Sequence, residues 1–254
     1  MRSSSRPSRP GRGALASLLL AAASPLAAQD PPPTPPPPPP LWSGQGELSF
    51  VSTSGNSDTQ TLGVGAEVAY QPLPWSFTFK STFLRNEADG EEKANSLTAM
   101  LRGARVFSPR LEAFGRADFV RNRFAGIESR WSGEGGVAYA LFPAPPQKVR
   151  AEAALGYATE RGVDAEDRSY PFARAGVFYE WQISKTAVYT EELSFVQDLE
   201  DTPNWRIVNA GAVTADVTTV LALRVSFALL YSNEPVPGFE KRDSTVSAAV
   251  VAKF

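Results

Sequence analysis

Thr245-Val246-Ser247-Ala248-Ala249-Val250-Val251-Ala252-Lys253-Phe254 decides the fold. Its even positions, Val246, Ala248, Val250, Ala252 and Phe254, are all apolar, and Thr245, Ser247 and Lys253 lie between them. A period of two with one apolar and one polar face is what a wall needs when lipid lies on one side and water on the other. An edge strand of a soluble sheet can carry the same pattern, so the reading has to be tested against the rest of the chain. In bacterial outer-membrane barrels a terminal aromatic on the lipid face is the mark read by the assembly machinery. Phe254 is therefore the candidate assembly signal.

The alternation recurs upstream. Leu62, Val64, Ala66, Val68 and Tyr70 oppose Thr61, Gly63, Gly65 and Glu67; Val149, Ala151, Ala153, Leu155 and Tyr157 oppose Lys148, Arg150, Glu152 and Gly156. Leu221, Leu223, Val225, Phe227, Leu229 and Tyr231 likewise oppose Arg224 and Ser226. Twelve such segments separated by turn chemistry are expected, near residues 42–53, 59–71, 74–86, 93–107, 110–124, 128–142, 147–160, 168–183, 185–198, 204–217, 219–233 and 242–254. The even count suits a single-chain bacterial barrel with both termini in the periplasm. The fold class is thus all-β: a transmembrane, antiparallel, up-and-down β-barrel of about twelve strands. Short connections near 72–74, 108–109, 184 and 218 alternate with longer, more acidic ones near 86–92, 160–167, 199–203 and 233–241, the rhythm of short periplasmic turns and long outer loops. Residues 185–198 and 204–217 alternate poorly, with Glu191 and Asn209 on the expected lipid face, and a bulge or a shifted register is expected there. Trp42, Tyr70, Trp75, Tyr139, Phe142, Tyr157, Trp181 and Tyr231 fall near strand ends, where interfacial girdles belong.

The amino-terminal region points to the same compartment. Arg2, Arg6, Arg9 and Arg12 precede an apolar run over residues 14–23, and Ala27 and Ala28 offer a cleavage site. Residues 1–28 read as a secretory signal peptide for the general Sec route, because the run is too short to span a membrane as a helix. Residues 29–41 form a proline-rich periplasmic linker, extended because proline lacks a backbone donor. Residues 42–254 are the barrel, and the expected location is the Gram-negative outer membrane.

Three stretches resemble the DUF481 family, whose members carry the name salt-induced outer membrane proteins. They are Ser54-Gly55-Asn56-Ser57-Asp58-Thr59; Arg121-Asn122-Arg123-Phe124-Ala125-Gly126-Ile127-Glu128-Ser129-Arg130 with Gly133, Gly135, Gly136 and Tyr139; and Ser232-Asn233-Glu234-Pro235 with Pro237-Gly238. The resemblance spans about residues 42–254 and implies an outer-membrane barrel without implying an activity. The proline spacer is a departure from it.

The chain contains neither histidine nor cysteine. Outer-membrane hydrolases and proteases of known type use histidine, and no Gly-x-Ser-x-Gly elbow is present, so no enzyme is expected. No cofactor is expected, and only oxygen ligands remain for a metal. The acidic groups Asp89, Glu91 and Glu92, and Asp164, Glu166 and Asp167, read as solvated loops. A net charge of −2 gives no attraction to nucleic acid. Outer-membrane lipid, lipopolysaccharide and the barrel-assembly machinery are the expected partners. Ten charges fall in the lumen phase: Glu47, Glu67, Arg102, Arg116, Asp118, Glu134, Arg150, Glu152, Arg174 and Arg224. They support two readings, a non-enzymatic barrel of narrow or occluded lumen serving envelope adaptation, or a porin-like channel for small solutes or ions. Mixed signs at matched depth favour the first, because a selective channel concentrates one sign.

Overall fold

The computed structural model describes residues 41–54, 59–88, 91–163 and 166–254. The expected signal peptide, the proline segment through residue 40, the first hairpin turn at 55–58 and the loop acids Asp89 and Asp164 lie outside the described residues. Among the described residues twelve antiparallel strands form a closed barrel. They are β1 (Trp42–Ser54), β2 (Thr59–Tyr70), β3 (Trp75–Ala88), β4 (Glu91–Val106), β5 (Leu111–Asn122), β6 (Ile127–Phe142), β7 (Gln147–Gly162), β8 (Arg168–Gln182), β9 (Ala187–Asp198), β10 (Trp205–Asp216), β11 (Leu221–Ser232) and β12 (Arg242–Lys253). A single 3-10 turn, Arg123–Ala125, joins β5 to β6.

Each strand pairs with its sequence neighbours, and β1 closes on β12, leaving no edge to seek another chain. The carboxy terminus completes that seam. Gly44 and Phe254 exchange both backbone hydrogen bonds at 3.0 Å, and the Phe254 ring lies where a side chain at Gly44 would stand. Followed once around, the pairing returns to β1 displaced by about 16 residues, a shear that tilts twelve strands by roughly 40° and sets a backbone radius of about 12–13 Å.

Period two then sorts the side chains. Leu48, Val64, Leu101, Leu155, Val177, Leu193, Leu223 and Val250 point outward, 43–66 % exposed. So continuous an apolar band would cause aggregation in water and is solvated by lipid. Aromatic pairs mark its two rims: Trp42 stacked on Tyr70 at 4.3 Å beside the short turns, and Phe119 tilted against Trp131 at 4.6 Å and Trp205 against Tyr231 at 5.3 Å at the loop end. The buried core lies inside the barrel, where Phe114 packs with Ala104, Ala138 and Ala154, and Phe172 with Ala158, Tyr170 and Val196.

Two expectations from the sequence need correction. The pairing of β9 with β10 runs without a break, so no bulge or shift occurs there. Register breaks among the described residues fall instead at Asn86/Glu87, Val120/Asn122, Ile127/Ser129 and Ala140/Phe142. Glu191 and Asn209 stay on the outer face because they satisfy one another: Asn209 Nδ2 and the Tyr189 hydroxyl both donate to the Glu191 carboxylate. The second correction concerns residues 86–92, expected as a long loop. Here β3 and β4 continue past the expected rim, so only residues 89–90 separate them. From there the loop-end connections lengthen toward the carboxy terminus, the longest being 233–241.

Candidate functional site

The ten charges of the lumen phase all lie on the sheet face opposite the apolar band, and the register divides them between two walls. One wall, β4 to β9, is thick. Arg174 donates through Nε to both Glu134 oxygens, at 2.9 and 3.0 Å, and through Nη2 to Glu152 at 2.8 Å. Glu152 also receives Arg150 at 3.1 Å and Arg102 at 3.4 Å, while Arg102 reaches Glu112 at 2.5 Å. Arg116 is paired with Asp118 at 2.8 Å and approaches Glu192 at 3.6 Å. Phe114 backs this network, its ring 4.5 Å below the Arg102 guanidinium, and Phe178 backs Arg150 at 5.1 Å. Arg174, Glu134 and Glu152 are each less than a tenth exposed, so the network survives desolvation only because each charge has opposite partners.

Geometry makes these contacts bridges. Arg102 on β4 and Glu152 on β7 are three strands apart, and Arg116 on β5 and Glu192 on β9 are four, so both pairs cut a chord through the interior. The ion pairs therefore fill volume as well as balance charge.

The other wall, β10 to β12 with β1 to β3, is thin. Its inward residues include Ala210, Ala212, Ser226, Ala228, Ser247, Ala249 and Gly63. Its central charged cluster is a single layer, in which Arg224 donates to Glu47 at 2.9 Å, Gln45 at 3.0 Å and Thr214 at 3.0 Å, and Lys253 pairs with Asp216 at the short-turn end. Gln45 passes the contact to Glu67 at 3.1 Å, and Lys80 stands 4.0 Å from Glu67.

A third cluster, not foreseen from sequence, occupies the loop-end mouth. Arg130 bonds Glu160 at 2.5 Å, Tyr170 donates its hydroxyl to Glu160 at 3.1 Å, and Arg206 donates to the Tyr170 oxygen at 3.1 Å. Arg168 pairs with the buried Asp198, which also accepts the backbone N–H of Glu200 at 2.9 Å and of Asp201 at 3.1 Å, tying down the β9–β10 loop. These residues sit at strand ends, where sequence does not separate strand from turn. The usable signal was phase, because Arg130 is in step with Ser132 and Glu134, and Glu160 with Ala158.

The β11–β12 loop lies across this mouth. Val236 and Phe239 pack against Gly126 in the β5–β6 connection, on nearly the opposite side of the barrel. Gly126 has φ +73°, and any side chain there would meet Phe239 at 2.8 Å and Val236 at 2.9 Å. Beneath this strap lies a cavity of about 220 Å³, bordered by Arg130, Glu160, Arg168, Tyr170, Arg206 and the strap residues Pro235 to Pro237, among others. Among the described residues no group of three or more carboxylates converges on a common point, and Asp167 accepts from Arg161 at 3.1 Å.

A closed barrel with an apolar outer band and a charged, partly filled interior defines an outer-membrane-type β-barrel of porin-like fold. The chain matches the family described as "Protein of unknown function, DUF481" over residues 46–254, and belongs to it. No curated protein sequence matches it. Among solved structures, the NanC porin superposes with a TM-score of 0.58 at 9 % identity, covering 82 % of this chain and 100 % of that one. The translocator domain of the autotransporter NalP from Neisseria meningitidis gives 0.51 at 10 % identity, covering 86 % and 90 %. At such identities the likeness is one of fold.

Proposed function

We propose that this protein is a non-enzymatic outer-membrane barrel with a constricted, charge-balanced lumen, acting in envelope adaptation and not in bulk permeation. The observation that carries this reading is the set of ion-pair bridges between strands that are not neighbours, Arg174 with Glu134, Arg102 with Glu152 and Arg116 with Glu192. Side chains of both signs cancel each other's field and occupy the space an open pore would leave to water. The strap across the mouth adds a second constriction in series. On this reading the ten charges act as the filling of the lumen.

Outer-membrane residence is supported by the apolar band, the aromatic rims and the porin-like fold, and Sec export by the signal-like sequence of residues 1–28. A role for Phe254 as the assembly signal toward the barrel-assembly machinery is supported by its 80 % exposure and its seat at the β1–β12 seam. Lipid and lipopolysaccharide are the surroundings this outer face suits. A second reading, a small-solute or ion channel, draws on the thin wall, whose small residues leave a passage on one side of the lumen.

Planar-bilayer recordings separate the two. Wild type is expected to be silent or to show small steps without preference for either ion sign, and substitution of both Arg150 and Arg224 by Ser to enlarge the steps. Large, sign-selective steps in wild type would overturn the constricted reading.

A further inference from the structure

Arg206 departs from the pattern of the interior. In the ion-paired clusters of the two walls and in the rest of the mouth cluster, each arginine of the inner face has a carboxylate within 4.0 Å; Arg206 has none among the described residues, and its one hydrogen bond goes to a neutral phenol. It is half-buried and borders the cavity beneath the strap. The guanidinium fork thus keeps most of its donors for whatever enters, in the geometry that suits a planar carboxylate.

The rest of the lining narrows the ligand. Arg130 and Arg168 are engaged by Glu160 and Asp198, so their charge is largely compensated. Glu166 and Glu234 also border the cavity, which disfavours a multiply charged anion and offers acceptors for hydroxyl groups. Asn204 and Ser232 add neutral polar groups. A volume of about 220 Å³ suits a small molecule.

We infer that the cavity under the strap is a binding site for a small polyhydroxylated monocarboxylate, anchored by Arg206. Conduction is not required for this, since the cavity lies at the mouth, outside the ion-paired constriction.

The test is calorimetric titration of protein purified from membranes in detergent, with gluconate, sorbitol and inorganic phosphate as separate probes. Gluconate is expected to bind, sorbitol not to, and Arg206→Gln to weaken gluconate by about tenfold or more. Arg224→Gln, on the thin wall, should leave that affinity unchanged. If Arg206→Gln loses the heat-modifiable mobility of a folded barrel, Arg206→Lys carries the test: charge without the planar fork should still bind several-fold more weakly than wild type. No gluconate binding, binding of phosphate but not gluconate, or equal gluconate affinity in wild type and the folded Arg206 variant overturns the assignment. A large bilayer conductance alongside intact gluconate binding would count against the constricted lumen and leave this site standing.

Discussion

The two walls of the barrel meet lipid in the same way and meet the lumen in opposite ways. Outward, β4 to β9 present Leu101, Leu155 and Val177, and β10 to β3 present Leu223, Val250 and Val64. Inward, the first wall carries rings, arginines and carboxylates in several layers; the second carries mostly small residues, with the Arg224 cluster at its centre, a Lys253–Asp216 pair at the short-turn end and Arg206 at the mouth. The thick wall also has the longest strands, 16 residues in β4, β6 and β7 against 12 in β10, β11 and β12. The bilayer constrains only the outer face, so the inner face was free to diverge, and constriction was built from one side.

The comparison breaks most readily at Arg174. Its removal leaves Glu134 and Glu152 buried with their charges partly uncompensated, whereas removal of Arg224 leaves Glu47 beside open lumen. Arg174→Ala should destabilise the refolded barrel by about 3 kcal/mol and Arg224→Ala by roughly 1 kcal/mol, read as a shift in urea midpoint at unchanged slope. Equal losses at the two sites would mean that the walls differ in appearance and not in energetics.

A smaller effect is expected where the walls are joined. Gly126 takes a positive φ and leaves room for the strap, so Gly126→Ala should cost about 1–2 kcal/mol locally and displace Val236 and Phe239. Global stability should hold while residues 233–241 become cleavable by protease. A strap as resistant in the variant as in wild type would show that Gly126 does not hold it.

The division between walls shows what the sequence carries. The alternation at Leu62 to Tyr70 and at Val246 to Phe254 is imposed by a uniform environment, lipid, and can be read residue by residue; all twelve strands were legible to within two residues. Lumen phase was equally legible, which is why Arg174 and Glu152 stood in the candidate set. Partnership was not, because Arg102 and Glu152 meet only once the shear and the curvature are known. The mouth cluster escaped for a related reason: Arg130, Glu160 and Arg206 acquire their roles from strand ends brought together by closure.

The smallest predicted effect concerns a place where the lipid rule is broken by a carboxylate. Glu191 and Asn209 sit on the outer face between β9 and β10, at the junction of the thick and thin walls, and Gly211 leaves the space into which the Glu191 carboxylate folds. Read from the alternation alone, these residues pointed to a bulge or a shifted register. Mutual hydrogen bonding makes them tolerable without making them favourable, since a carboxylate on the lipid face remains worse solvated than a leucine. Replacing either alone would strand its partner, so the informative variant is the pair, Glu191→Leu with Asn209→Leu. In phosphatidylcholine vesicles it should raise stability by about 1 kcal/mol, and in a detergent micelle, where water reaches the wall, by less. A loss of stability in both would mean that the network with Tyr189 holds β9 to β10, and that the junction of the two walls depends on polar contacts outside the barrel as well as within it.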